Sequence, residues 1–176
     1  MEIISQLILF LVLLFVLTPA VYASLTVAPF IPTKTDDIGR IAKLAKFKKG
    51  DRFLELGAGS GRVMLALAKQ YPEITVSGIE IHPLLYLLIK AKILVQGLSL
   101  RADIGLGTLY RRDFSASDVI YCFLMPYPMK KLKQKFENEC KKGTRIISRA
   151  FPVPGWQPAE VSSEDKEMAI YLYKIS

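Results

Sequence analysis

Hydrophobic and polar positions divide this chain into one continuous apolar run and a series of shorter alternating patterns. The run is IISQLILFLVLLFVLTPAVYA, Ile3 to Ala23, uncharged throughout and unbroken in apolar residues from Leu7 to Leu17. About 20 such residues cross a bilayer as a helix, so the pattern predicts a transmembrane anchor over residues 1–24. A cleaved signal peptide is the rival reading, with Val21-Tyr22-Ala23 as a small-residue cleavage site. Glu2, and the lack of Lys or Arg before the run, favour the anchor.

APFIPTKT, Ala28 to Thr35, is punctuated by proline and reads as a linker, here residues 25–35. The remainder, 36–176, reads as one domain. Asp36 is placed to cap a helix running to about Lys48. Helical patterns then alternate with short apolar runs. Strands are predicted over Phe53–Leu56, Ile74–Ile79, Gly107–Tyr110, Val119–Leu124 and Thr144–Ser148, and helices over Ser60–Gln70, Pro83–Gln96 and Met129–Cys140. The closing segment EMAIYLYKI, Glu167 to Ile175, is a strand expected to pair with Ala159–Ser162 across a polar turn. This alternation predicts an α/β fold: a doubly wound, Rossmann-like, mostly parallel sheet with a C-terminal antiparallel hairpin, preceded by the transmembrane helix.

Composition adds topology and excludes some chemistry. A net charge of +8 and a pI near 9.5 raise nucleic acid as a partner. The basic residues, however, gather beside the apolar run and along KKLKQKFENECKK, Lys130 to Lys142. That distribution reads as a solvated helix face attracted to anionic headgroups, and no nucleic-acid partner is expected. Lys34, Arg40, Lys43, Lys46, Lys48, Lys49 and Arg52 outnumber Asp36, Asp37 and Asp51, which by the positive-inside rule keeps the domain on the cytoplasmic or matrix side. Cys122 lies in an apolar run and Cys140 near the end of a Lys-rich helix, so a buried and a surface thiol are expected rather than a disulfide. The sole histidine is His82, and no metal site is expected.

The candidate chemistry sits in RFLELGAGSGRVM, where Gly57, Gly59 and Gly61 separate a strand from a helix. In a doubly wound sheet this first turn lies at the switch point, where bare backbone meets a ligand. Arg62 stands where a dinucleotide fingerprint has its third glycine, which argues against a nicotinamide oxidoreductase. Glu55, just before the loop, suits a ligand with a cationic amino acid part better than a pyrophosphate. Glu80 ends the second strand, where a carboxylate accepts hydrogen bonds from ribose hydroxyls. Asp113, in YRRDF, is placed either to accept from an adenine amino group or to cap the next turn.

With these residues the chain resembles class I S-adenosylmethionine-dependent methyltransferases. APFIPT, ELGAGSGR, GIEIHP, YRRDF, CFLMP and SRAFPVPGWQP resemble, in the same order, the small membrane-anchored lysine methyltransferases of the ATP synthase c subunit and the adenine nucleotide translocase, with their prokaryotic relatives. The resemblance covers residues 28–160, and Phe151 to Trp156 is its most distinctive part. The family usually has an acid where this chain has Ser60, and commonly Asn where it has His82.

The resemblance implies S-adenosyl-L-methionine as cofactor, held by Glu55, Gly57, Ala58, Gly59, Gly61 and Glu80, with His82 beside the ribose and Asp113 near the adenine. It implies a bilayer and a membrane-associated protein as partners, and a lysine as acceptor. Desolvation and the sulfonium charge both lower a lysine pKa, so no dedicated base is required and no catalytic residue is singled out. An aromatic, carbonyl-rich slot is expected instead, from Phe123, Met125, Pro126 and Tyr127 after the fourth strand and Arg149, Phe151 and Trp156 after the fifth. Pro32 and Thr33 would close it. Phe123 also reads as core, and Trp156 as a staple for the terminal hairpin. Two other readings stay open: a lipid-soluble small-molecule acceptor, and a non-catalytic cofactor-binding membrane module.

Overall fold

Seven strands form a single sheet in the order β3-β2-β1-β4-β5-β7-β6, parallel from β3 through β5 and antiparallel where β7 pairs with β5 and β6. They belong to a computed structural model that describes residues 2–26, 33–165 and 167–176; most of the expected linker, Pro32 included, lies outside the described residues. The strands are β1 (Arg52–Leu56), β2 (Thr75–Glu80), β3 (Ala102–Leu106), β4 (Val119–Cys122), β5 (Arg145–Arg149), β6 (Glu160–Ser162) and β7 (Ile170–Lys174). The helices are α1 (Glu2–Thr26), α2 (Thr35–Ala45), α3 (Arg62–Gln70), α4 (Pro83–Val95) and α5 (Pro126–Glu139), with a short 3-10 turn at Leu109–Arg111. Strand order reverses between β1 and β4, which puts the switch point beside the glycine loop.

Two cores cover the two faces of the sheet. Phe53 of β1 and Tyr121 of β4 pack with Ile41 of α2, Met64 of α3 and Ile89 of α4. Leu54, Leu56 and Ile120 point the other way, onto Met129, Leu132 and Phe136 of α5. Burial on both faces is why β1, β4 and β5 read as apolar runs without alternation. The C-terminal hairpin forms as expected, and β7 sits between β6 and β5, pairing antiparallel with both.

Three boundaries and one thiol depart most from the sequence reading. The third strand is Ala102–Leu106, not Gly107–Tyr110: Gly107 leaves the sheet with φ 149°, and the residues after it form the 3-10 turn. As an edge strand β3 pairs only with β2, so one-sided burial at Ala102 and Ile104 is a weak signal. α2 begins at Thr35, with Lys34 rather than Asp36 at the cap position, and stops when Lys46 turns left-handed. α5 begins three residues early, because Pro126 and Pro128 fit a first turn that needs no N–H donor there. Cys140 is not a surface thiol: it is buried, and burial pushes both it and Cys122 up to about 12.

Where the transmembrane span was expected there is a helix, α1, of 25 residues. Its described side chains are exposed on every side, from Ile3 to Val21. Among the described residues no helix is long and apolar enough to cross a membrane. The side chains at 15, 16, 19, 20 and 22–26 fall outside the described set.

Candidate functional site

β1 leaves the sheet at Gly57, and the loop to α3 is held by its own neighbours. The N–H groups of Gly57 and Ala58 both donate to the Ile79 carbonyl at 3.0 Å, and that of Gly61 donates to the Ala58 carbonyl at 2.8 Å. The glycines therefore do more than bare the backbone. A Cβ on Gly61 would stand 2.9 Å from Ile89 Cγ1, so glycine there lets α4 close onto the start of α3.

Two buried carboxyl groups flank the loop. Glu55 lies in register with Gly78 of β2 and Tyr121 of β4. Its Oε2 accepts from the Met64 N–H at 3.0 Å, a cap that α3 lacks from Gly61. Burial pushes the Glu55 carboxyl up to about 8; the Met64 bond opposes this and the charge of Glu80 adds to it. Glu80 accepts three main-chain bonds: Oε2 from Gly59 at 2.7 Å, Oε1 from Ile81 at 2.9 Å and from His82 at 2.8 Å. Glu80 thus ties the glycine loop to the first turn of α4, where His82 is the N-cap.

A second cluster closes over β4 and β5. Thr33 is buried, with its hydroxyl 3.1 Å from the Tyr121 hydroxyl and its carbonyl accepting from Arg62 Nη1 at 3.1 Å. Burial raises the Tyr121 phenol far above its ordinary value, so it stays protonated. Arg149 ends β5: its Nε donates to Asp37 Oδ2 at 2.8 Å, and its guanidinium lies 4.4 Å from the Phe123 ring centre. Asp37 also binds Arg40, at 2.8 Å. Arg149 Nη1 is buried with no partner among the described residues.

The structure thus brings together Glu55, Gly57, Ala58, Gly59, Gly61, Glu80 and His82, and beside them Thr33, Phe123 and Arg149. It does not bring in all the expected residues. Asp113 is exposed, and its carboxylate closes a turn by accepting from the Ser115 N–H at 2.9 Å, the alternative its sequence context offered. Met125, Pro126 and Tyr127 are exposed at the start of α5, with the Tyr127 ring 4.7 Å from Lys131 Nζ. Trp156 packs against Phe136 and Tyr173 and donates to Glu137 at 3.1 Å, which places it on the α5 face, across the sheet from Glu55. It staples its loop to α5 and to β7 of the hairpin. Phe151 is half-buried on the same loop.

Sequence reading missed Tyr121, Asp37 and the contact of Arg62 with Thr33. A hydroxyl inside the apolar strand VIYC was the available signal for Tyr121. Asp37 had none, because an acid in the first turn of a helix is ordinary.

The residues fit a cofactor with an amino acid end. Among the described residues, a buried carboxyl with no cation and a buried guanidinium nitrogen with no acceptor complement an ammonium and a carboxylate respectively. Comparison with known proteins agrees. Residues 55–160 match the family model described as the ANTKMT methyltransferase domain. A protein-lysine N-methyltransferase of Saccharolobus islandicus (strain REY15A) is 35% identical over 150 residues, 84% of this chain and 93% of that one. The lysine N-methyltransferase of the ATP synthase c subunit from Rattus norvegicus is 26% identical, over 84% of this chain and 67% of that one. An RNA methyltransferase from Salinibacter ruber, solved with S-adenosyl-L-homocysteine, superposes with a TM-score of 0.78 at 25% identity, covering 82% of this chain and 94% of that one.

Proposed function

Because the chain belongs to the ANTKMT methyltransferase domain family and is an S-adenosyl-L-methionine-dependent methyltransferase, we propose that it methylates lysine side chains of a protein held at a membrane. The observation that carries the lysine acceptor is the 35% identity to a protein-lysine N-methyltransferase across 93% of that protein's length. When bound, the cofactor supplies an electrophilic methyl group for in-line transfer. Glu55 would face its ammonium group, Arg149 Nη1 its carboxylate, and Glu80 its ribose hydroxyls.

The acceptor lysine must arrive uncharged, and no side chain of the second cluster serves as its base. Tyr121 holds its proton and Arg149 is permanently charged. Desolvation over Thr33 and Phe123, with a neighbouring positive charge, lowers the lysine pKa instead.

The membrane tether is α1, with the domain on the cytoplasmic or matrix side. Its support is the uncharged run from Ile3 to Ala23 and the apolar side chains exposed all round the described part of the helix. Thr33, inside the second cluster, is seven residues beyond Thr26, the last of α1. At about 3.6 Å per extended residue, the chain can span at most about 25 Å between them. An inserted α1 would therefore hold the site close to the lipid, raising the effective concentration of acceptors there.

The test is to incubate the full chain with membranes and methyl-labelled cofactor and to follow the label. Methyl-lysine in hydrolysed protein supports the proposal. Label in the lipid-soluble fraction, in RNA, or in none of the fractions overturns it.

A further inference from the structure

α4 is apolar on two opposite sides. Ile89 and Ile93 face the core, at 0% and 5% exposure, while Leu84, Leu87, Leu88, Leu94 and Val95 are 44%, 57%, 45%, 72% and 85% exposed. Together with exposed Ala91 they recur at i, i+3, i+4, i+7, i+10 and i+11 from Leu84, which is one continuous stripe along the outside of the helix. Leu100, in the turn that follows, is 98% exposed. An outer helix of an α/β sheet ordinarily turns polar residues to water.

The two residues of α4 that edge this stripe, Lys90 and Lys92, are cations, and one exposed acid, Asp103 of β3, lies beside Lys90. Between Glu80 and Asp103 the chain contains Lys90, Lys92 and Arg101 and no acid. Lys90 stands on one edge, 4.0 Å from Asp103. Lys92 stands on the other, half-buried, with Nζ donating to the Ser60 carbonyl at 3.0 Å. Apolar side chains edged by a cation match an anionic bilayer surface, which takes the leucines into the acyl boundary and meets Lys90 at the headgroups. α1 and α4 are also in contact, and the short reach from Thr26 to Thr33 keeps the domain near whatever α1 enters.

We propose that the Leu84–Val95 stripe is a docking surface that lies on an anionic lipid bilayer. An anchor alone lets the domain swivel on its tether. Docking through α4 fixes one orientation, with the helix lying along the lipid surface and its first turn, next in the chain to Glu80, at that surface. The inference rests on the anchor reading only for delivery of the chain to a bilayer.

The test uses the full chain labelled at Leu88→Cys with an environment-sensitive nitrobenzoxadiazole dye; Cys122 and Cys140 are buried and leave the added thiol as the reactive one. Lys130→Cys, on the exposed side of α5 across the sheet, is the control. The probes are phosphatidylcholine vesicles with and without phosphatidylglycerol, some bearing doxyl-labelled acyl chains. We expect the label at 88 to shift to the blue and to be quenched by the doxyl chains at least about twofold more than the label at 130, and more strongly with phosphatidylglycerol. Leu94→Cys, at a position 72% exposed, repeats the reading should the first label disturb the fold. If the protein floats with the vesicles but both labels on α4 stay in water, the docking surface is overturned and the anchor stands. If it does not float, both fall. A blue shift without lipid that grows with protein concentration means a second copy covers the stripe, and overturns the proposal.

Discussion

Glu80 Oε2 accepts a hydrogen bond from the Gly59 N–H at 2.7 Å. Each group, read alone, was expected to wait for a ligand; in the fold they hold each other. A carboxylate offers about four acceptor positions, and Gly59, Ile81 and His82 take three of Glu80's. A ribose hydroxyl must use the remaining position or displace Gly59.

Glu80 therefore has a structural and a binding role that one substitution will reveal together. Glu80→Ala orphans three main-chain donors, and we expect a loss of about 1–3 kcal/mol in stability together with weaker binding of S-adenosylhomocysteine. Thermal melting reads the first and calorimetry the second. Unchanged affinity beside a lowered melting temperature would leave Glu80 only the structural role.

Glu55 makes the chain's stability depend on pH. Its carboxyl, ordinarily near 4.5, is pushed up to about 8 in the fold, so between those values the native state binds more protons than the unfolded one. Its contribution is complete below about 4.5 and is lost as pH rises to about 8. Glu55→Gln, which can still accept from Met64, should remove this slope, so wild type should lose stability relative to it between about pH 5 and pH 8. Urea melts across that range check the sign.

The same proton must leave when a cationic ligand binds beside Glu55. Calorimetry of S-adenosylhomocysteine near pH 7, in buffers of different ionisation heat, should show proton release by the wild type and none by Glu55→Gln. Equal heats in all buffers for the wild type would remove Glu55 from the cofactor's ammonium.

Gly61 and Gly50 both have positive φ, at 74° and 86°, but a Cβ on Gly50 meets nothing within 4 Å. Gly61→Ala should therefore destabilise the chain by about 1–3 kcal/mol more than Gly50→Ala, through collision with Ile89. Equal losses in denaturant melts would show that α4 yields to the extra methyl.

Asp37 is buried between Arg40 and Arg149. Asp37→Ala leaves two guanidinium groups without their shared carboxylate, and we expect about 3–5 kcal/mol of destabilisation. A loss under about 1 kcal/mol would mean that Ser162, the Met168 carbonyl and the Phe123 ring already satisfy the two arginines.

The α/β order, the switch point and the acids at the ends of β1 and β2 were legible because each depends on local patterning. Apolar runs buried on both faces made β1, β4 and β5 plain, and the glycine loop declared itself by composition. The edge strand β3 was misplaced because it has one neighbour and a weak pattern. Cys140 was misjudged because its burial comes from packing around the end of α5, which no local window contains.

The sequence alone determined the alternating order of strands and helices and the place of the glycine loop between β1 and α3, since periodicity and backbone freedom are properties of neighbouring residues. Only the tertiary structure decided that Glu80 closes on Gly59, that Tyr121 meets Thr33, that Asp37 reaches Arg149 and that Trp156 belongs to the α5 face. Those pairings join residues far apart in the chain, and which hydrogen bonds and ion pairs form depends on how strands and helices stack and on which polar groups burial leaves needing a partner.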